Sequence, residues 1–175
     1  MSRIQLIQNN EATGKAKQLL DAVQAKIGMT PNLMKGLAQA PAALEGYLNF
    51  SGALATGNLD AKFREQIALA VAQANSCDYC LAAHTAFGKM SGLKPEEITA
   101  SRHSQSTDAK LDAGLKFAQA LVIHRGLVSD AALDAVRSAG FTQGEITEIV
   151  SNVALNIFTN YFNHVAQTEV DFPKV

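Results

Sequence analysis

Basic charge is concentrated nowhere in this sequence: 15 Lys and Arg stand against 16 Asp and Glu, for a formal net charge of -1, with no basic block. A surface that neutralises a phosphate backbone needs such a block, so nucleic acid is not expected as a partner. Long apolar runs are missing as well. The longest, such as Ile67 to Ala72, are far too short to span a bilayer, and the opening MSRIQLIQNNEATGK has no apolar targeting core. These absences predict a cytoplasmic protein with no membrane partner. No Pro/Gly/Ser-rich linker divides the 175 residues, and a 47% hydrophobic content suffices for one sizeable core, so a single domain over 1–175 is expected. Cysteine is scarce, at two residues. In a reducing compartment such a pair is not expected to form a permanent structural disulfide, and a transient, catalytic or metal-binding role suits it better.

Alternation with period two is also absent, and what is present is helical. Ala16, Leu19, Leu20, Val23 and Ile27 recur at three and four, as do Leu111, Leu115, Ala118 and Val122. Pro31 and Pro41 fit helix starts, the second helix covering roughly Ala42 to Ala55, while Gly92 and Gly140 close helices. Thr142 with Glu145 reads as a capping box opening a long helix. Its apolar positions Ile146, Ile149, Val150, Val153, Ile157, Tyr161 and Val165 predict a largely buried face, with Phe158 and Phe162 also counted as core. The fold class is all-α, with short loops and about eight helices.

Both cysteines fall in one stretch, Glu65 to His84, which reads EQIALAVAQANSCDYCLAAH. Leu59 to Ala74 reads as a helix opened by Asn58 or Asp60, Asp78 to Met90 as a second, and Asn75-Ser76 as the turn of an antiparallel hairpin. Counted from Ser76, Glu65 lies eleven residues back and His84 eight forward, so the carboxylate and the imidazole reach similar heights above the turn. Cys80 and His84, four apart on one helix, share a face. Glu65, His84 and Cys80 in that order read as a proton relay. The cysteines sit at a helix N-terminus, where free N–H groups and the dipole favour thiolate over thiol.

Glu65, Cys77 twelve positions later, then Cys80 and His84, together resemble the Glu, Cys-x-x-Cys, x-x-x-His signature of the alkylhydroperoxidase D-like branch of the carboxymuconolactone decarboxylase superfamily. TPNLMKGLAQAPAALEGYLNFSGAL before the motif and VALNIFTNYFNHVAQTEVDFP after it are similar to the uncharacterised peroxidase-related proteins of that group, so the likeness covers nearly the whole chain. The resemblance implies an all-helical homo-oligomer with no bound organic cofactor and no catalytic metal. It implies reduction of a hydroperoxide, or of a peroxiredoxin disulfide, with electrons from a thiol or lipoyl-type donor. Carried over, Cys80 is the attacking thiol, Cys77 the resolving one, and His84 with Glu65 the proton relay. Two departures stand out: Tyr79 occupies the place of the family's histidine before the second cysteine, and the motif lies in the first half of the chain. Cys77 is nearer the helix end, which by local physics makes it the alternative attacker.

Other readings stay open. Cys77, Cys80, His84 and Glu65 could instead hold zinc, although ligands crowded on one helical turn are unlike paired-loop zinc sites. A lyase of the carboxymuconolactone decarboxylase type needs no cysteine pair, and a non-enzymatic metal-binding or redox-sensing module is the third alternative. His164 reads as a core or interface histidine, and His103 and His124 as surface residues. A shift of 80 sets Glu65 on Glu145, Cys77 on Ile157, Cys80 on Asn160 and His84 on His164, which predicts a duplicated helical unit at about 58–90 and 138–170. Single-unit relatives form hexamers, so a duplicated chain would form a trimer that buries the apolar stripe of the last helix.

Overall fold

The computed structural model describes residues 2–174, and among them lie nine α-helices and no strand. They are α1 (Gly14–Ile27), α2 (Asn32–Leu37), α3 (Pro41–Leu54), α4 (Ala61–Ala74), α5 (Asp78–Met90), α6 (Pro95–Arg102), α7 (Ala109–Ile123), α8 (Asp130–Ser138) and α9 (Gln143–Ala166). The all-α expectation holds, with one helix more than the pattern predicts. α2, at six residues, is too short to display a 3.6-residue period. Pro41 is the first residue of α3, and Gly92 and Gly140 adopt positive φ just past α5 and α8, as the sequence suggested.

α4 is the axis of the fold. Its Asp60 cap accepts from the Phe63 amide at 2.8 Å, and Phe63 and every residue from Gln66 to Ala72 is buried. Burial on all sides is what an Ala-rich sequence permits, because small side chains let neighbours approach from each direction. Leu69 and Ala72 face one apolar cluster with Leu20, Leu44 and Leu81, while Phe63, Ile67, Ala70 and Val71 face a second with Leu115, Val136 and Ile149. The second cluster needs a glycine at 114. A Cβ there would lie 2.6 Å from Phe63 and 2.7 Å from Phe141, whose rings stack 5.6 Å apart.

The capping box of α9 forms as read: Glu145 N donates to Thr142 Oγ1 at 3.1 Å and Thr142 N to Glu145 Oε2 at 2.7 Å. Two expectations about α9 fail. Ile146, Ile149 and Val153 are buried, but Val150, Phe158, Tyr161 and Val165 are exposed. Each four-residue step overshoots a full turn by about 40°, so a stripe extended from Ile157 through Tyr161 to Val165 walks off the core. From Asn152 on the inward face turns mainly polar: Asn152, Asn156, Asn160 and Asn163 are all buried. The duplication at a shift of 80 also fails, since residues 143–166 run as one unbroken helix where 61–74 and 78–90 make a hairpin. Two helical segments match in apolar period without sharing a fold.

Candidate functional site

The α4–α5 hairpin turns at Asn75-Ser76, with Ser76 at φ +54, and delivers Cys77 to the N-cap of α5. Cys77 and Cys80 are free thiols, each 2% exposed, with their sulfurs 2.6 Å apart. The Cys80 amide also points at Cys77 Sγ, at 3.4 Å. These contacts divide the charge unequally. Cys77 is lowered to about 7, chiefly by the hydrogen bond from the Cys80 thiol, against burial and with help from the Cys80 amide, His164 and His84. Cys80 is pushed up, first by its bond to Cys77 and then by burial. The contact thus favours ionisation of Cys77 over Cys80.

One turn further along α5, His84 Nδ1 lies 2.8 Å from Glu65 Oε2 on α4. The antiparallel geometry read from residue spacing thus brings this pair together. Both are about one-fifth exposed and line a cavity of about 290 Å³, with Tyr47, Arg64, Phe87, Asn156 and several aliphatic side chains in its wall. Burial pushes the Tyr47 phenol up to about 12, and the nearby Glu65 and Cys80 add to the shift. Tyr47 therefore stays a proton donor at neutral pH and sits within electrostatic reach of both groups.

Sequence reasoning missed the other wall of the site. Asn163 Nδ2 donates to Cys80 Sγ at 3.3 Å, and Asn160, held by Asn75 Nδ2 at 2.9 Å, also acts to lower the Cys80 pKa. One carboxamide thus donates to the sulfur, and a second lies near enough to favour its charged form. The shift of 80 sets Cys80 on Asn160, whereas in the fold Asn160 acts on Cys80 itself. The usable signal was the spacing 152, 156, 160, 163, which puts four polar groups on one helical face inside an otherwise apolar helix.

Tyr79 has a structural task. Its hydroxyl accepts from the Leu33 amide at 3.1 Å and donates to Asp171 Oδ1 at 2.8 Å, and its ring meets Phe172 edge-on at 5.8 Å. Asp171 Oδ2 in turn accepts from the Asn32 amide at 2.7 Å, so the segment after α9 is clasped over the start of α5. His164 is neither core nor relay: it is exposed, with Nε2 2.9 Å from the Asn75 carbonyl oxygen. The zinc arrangement weighed from sequence does not form, because no group of three His, Cys, Asp or Glu among the described residues is placed to hold a metal ion.

The fold and this site define an all-helical protein with a buried dithiol beside a hydrogen-bonded Glu–His pair. The sequence profile of the Carboxymuconolactone decarboxylase family matches residues 41–122, which run from the start of α3 to the penultimate residue of α7 and so contain the whole hairpin. The structure is similar to the alkylhydroperoxidase AhpD core of an uncharacterized peroxidase-related protein from Ralstonia eutropha JMP134, with 25% identity, TM-score 0.87, and 97% of this chain and 92% of that chain covered. An uncharacterized peroxidase-related protein from Silicibacter sp. TM1040 is similar at 25% identity and TM-score 0.79, covering 89% of this chain and 84% of that chain. The debrominase Bmp8, solved as its C82A variant with 2,3,4-tribromopyrrole, shares the fold at 15% identity and TM-score 0.83, covering 96% of this chain and 91% of that chain. No curated protein gives a significant match. Residues 41–122 thus match the Carboxymuconolactone decarboxylase family, and the fold as a whole is that of the AhpD-core structures.

Proposed function

We propose that this protein is a dithiol oxidoreductase that reduces hydroperoxides, or a peroxiredoxin disulfide, through Cys77 and Cys80, with Glu65 and His84 managing protons. The observation that carries this reading is the pair of adjacent sulfurs, 2.6 Å apart, one helical turn from the 2.8 Å Glu65–His84 bond. Sulfurs so close can join with little side-chain movement. In the proposed cycle Cys80 passes its proton to the Cys77 thiolate and attacks the terminal oxygen of the hydroperoxide. The O–O bond breaks, the alkoxide takes a proton from His84 and leaves as alcohol, and Cys80 becomes a sulfenic acid. Cys77 then attacks the Cys80 sulfur; the S–O bond breaks and water leaves with the Cys77 proton. The result is a disulfide, an alcohol and one water, with two electrons moved from sulfur to oxygen. Glu65 keeps the imidazole oriented through its contact with Nδ1.

Peroxide consumption measured with a dithiol donor tests the proposal. Replacing either cysteine by serine should abolish turnover, and unchanged consumption in both variants would remove the reading. The fold shared with a debrominase, together with an apolar cavity of about 290 Å³, supports a second electron acceptor, a small halogenated ring. Parallel assays with cumene hydroperoxide and 2,3,4-tribromopyrrole separate the two.

A further inference from the structure

Cys77 does not line the cavity that holds His84 and Glu65. It lines a different cleft of about 320 Å³, together with Ser76, Asp78, Tyr79, Asn163, His164, Gln167, Thr168 and Val170. The two spaces have no lining residue in common, and Asn156 borders the first while Asn163 borders the second. Those asparagines are seven residues, or roughly 10 Å, apart on α9, and Asn163 is the one that reaches Cys80. Of the two spaces, only this cleft has a cysteine, Cys77, in its lining.

The cleft is built like a binding site. Its rim, Ser76, Asp78, His164, Gln167 and Val170, is exposed, while its floor, Cys77, Asn163 and Thr168, is buried. Two floor atoms, Asn163 Oδ1 and Thr168 Oγ1, have no hydrogen-bond partner among the described residues, although their side chains are 4% and 8% exposed. Buried polar atoms are nearly always paired, so this floor asks for a ligand that brings both a donor and an acceptor. Asn163 already reaches Cys80 with its nitrogen, so its oxygen lies one carboxamide width from the sulfurs. An N–H that meets it must belong to a group bonded close to the ligand's own sulfur, as the main-chain N–H of a cysteine is.

Resting on the dithiol reading above, we propose that this cleft admits the reductant, a cysteinyl thiol flanked by peptide amides, which attacks Cys77 of the oxidised pair. The incoming thiolate forms a bond to Cys77 Sγ, the Cys77–Cys80 bond breaks, and Cys80 leaves as a thiolate beside the Asn160 and Asn163 amides. A second donor thiol attacks the donor sulfur of the mixed disulfide and releases Cys77. Two donor thiols become one disulfide, and the protein regains both thiols. Occupying Cys77 removes its charge from the neighbourhood of Cys80 while the asparagine donors remain, which makes Cys80 the better leaving group.

The test starts from protein oxidised with diamide, so that it does not depend on peroxide chemistry. Rates of disulfide reduction are measured with glutathione, with a longer cysteine-centred peptide, and with 2-mercaptoethanol, which has no amide. Thr168→Val should slow both peptides about fivefold, the worth of one hydrogen bond, and leave 2-mercaptoethanol unchanged. Val170→Trp, which narrows the rim, should slow both peptides more strongly while peroxide oxidation of the reduced protein keeps its rate. A preference for the longer peptide over glutathione assigns the donor to a protein loop, and the reverse assigns it to a free peptide. Equal effects on all three thiols, or a mixed disulfide trapped on Cys80 instead of Cys77, would overturn the cleft proposal alone. Thiols that stay free under diamide would remove the dithiol reading itself.

Discussion

Cys77 ionises more readily than Cys80 because it caps a helix and shares a hydrogen bond with the Cys80 thiol; Cys80 lies one turn inside, where its neighbour and burial oppose ionisation. The sign of the pH dependence follows. As pH rises through about 7 the Cys77 thiolate fraction grows, so alkylation by iodoacetamide should show its midpoint there and slow about tenfold for each unit below it. Cys80→Ala removes the thiol donor, and the midpoint should move up toward an ordinary cysteine; a midpoint unmoved by that change would show that Cys80 does not set the acidity of Cys77. Glu65 works through His84, and its substitution reads out differently. Glu65→Gln keeps the size and loses the charge 2.8 Å from Nδ1, so oxidation by peroxide should slow by about tenfold or more with the thermal midpoint little changed. An unaltered rate would reduce the pair to a structural contact.

Glu148, on α9, binds the segment that leads into α4, accepting from the Asn58 amide at 2.9 Å, the Asn58 side chain at 2.8 Å and the Leu59 amide at 2.9 Å. Burial pulls its pKa up, but the Asn58 and Leu59 donors win and hold it below the usual carboxylate range. Glu148→Ala should cost about 2 kcal/mol at neutral pH by urea unfolding. Because the folded pKa is the lower one, that difference is complete above the ordinary Glu value of about 4.3 and narrows as pH falls through the folded value. A gap that stays constant into acid would mean that the charge is not what stabilises this junction. At this scale the sequence was legible wherever a local rule decides: the Thr142 cap, the opening of α4 at one of its two candidates, Asp60, the turn at Asn75-Ser76, and the heights of Glu65 and His84 on an antiparallel hairpin. It misled where two elements meet. The inward face of α9 is set by what α5 presents to it, and Cys80 asks for amide donors, so asparagines are buried where an apolar stripe was expected. Tyr79 reads as a lost histidine until Asp171, 92 residues away, is seen to hold it.

Across the whole molecule, α3 and α9 expose Phe50, Val150, Phe158, Tyr161 and Val165, with Tyr161 59% and Val165 65% accessible. A cluster of this kind is suited to association between copies, and we propose a homo-oligomer buried on it. Tyr161→Glu should lower the mass seen by light scattering while thiol reactivity persists; a wild-type protein that is already monomeric would end this proposal. No helix among the described residues is long and apolar enough to cross a membrane. The dithiol cycle itself is tested most directly by thiol trapping and intact-mass spectrometry after mild treatment with cumene hydroperoxide. Reversible chemistry at Cys77 and Cys80 predicts a loss of two hydrogens per chain, no remaining reactive thiol, and full recovery on dithiothreitol. Both thiols still free and alkylatable after that treatment would contradict it.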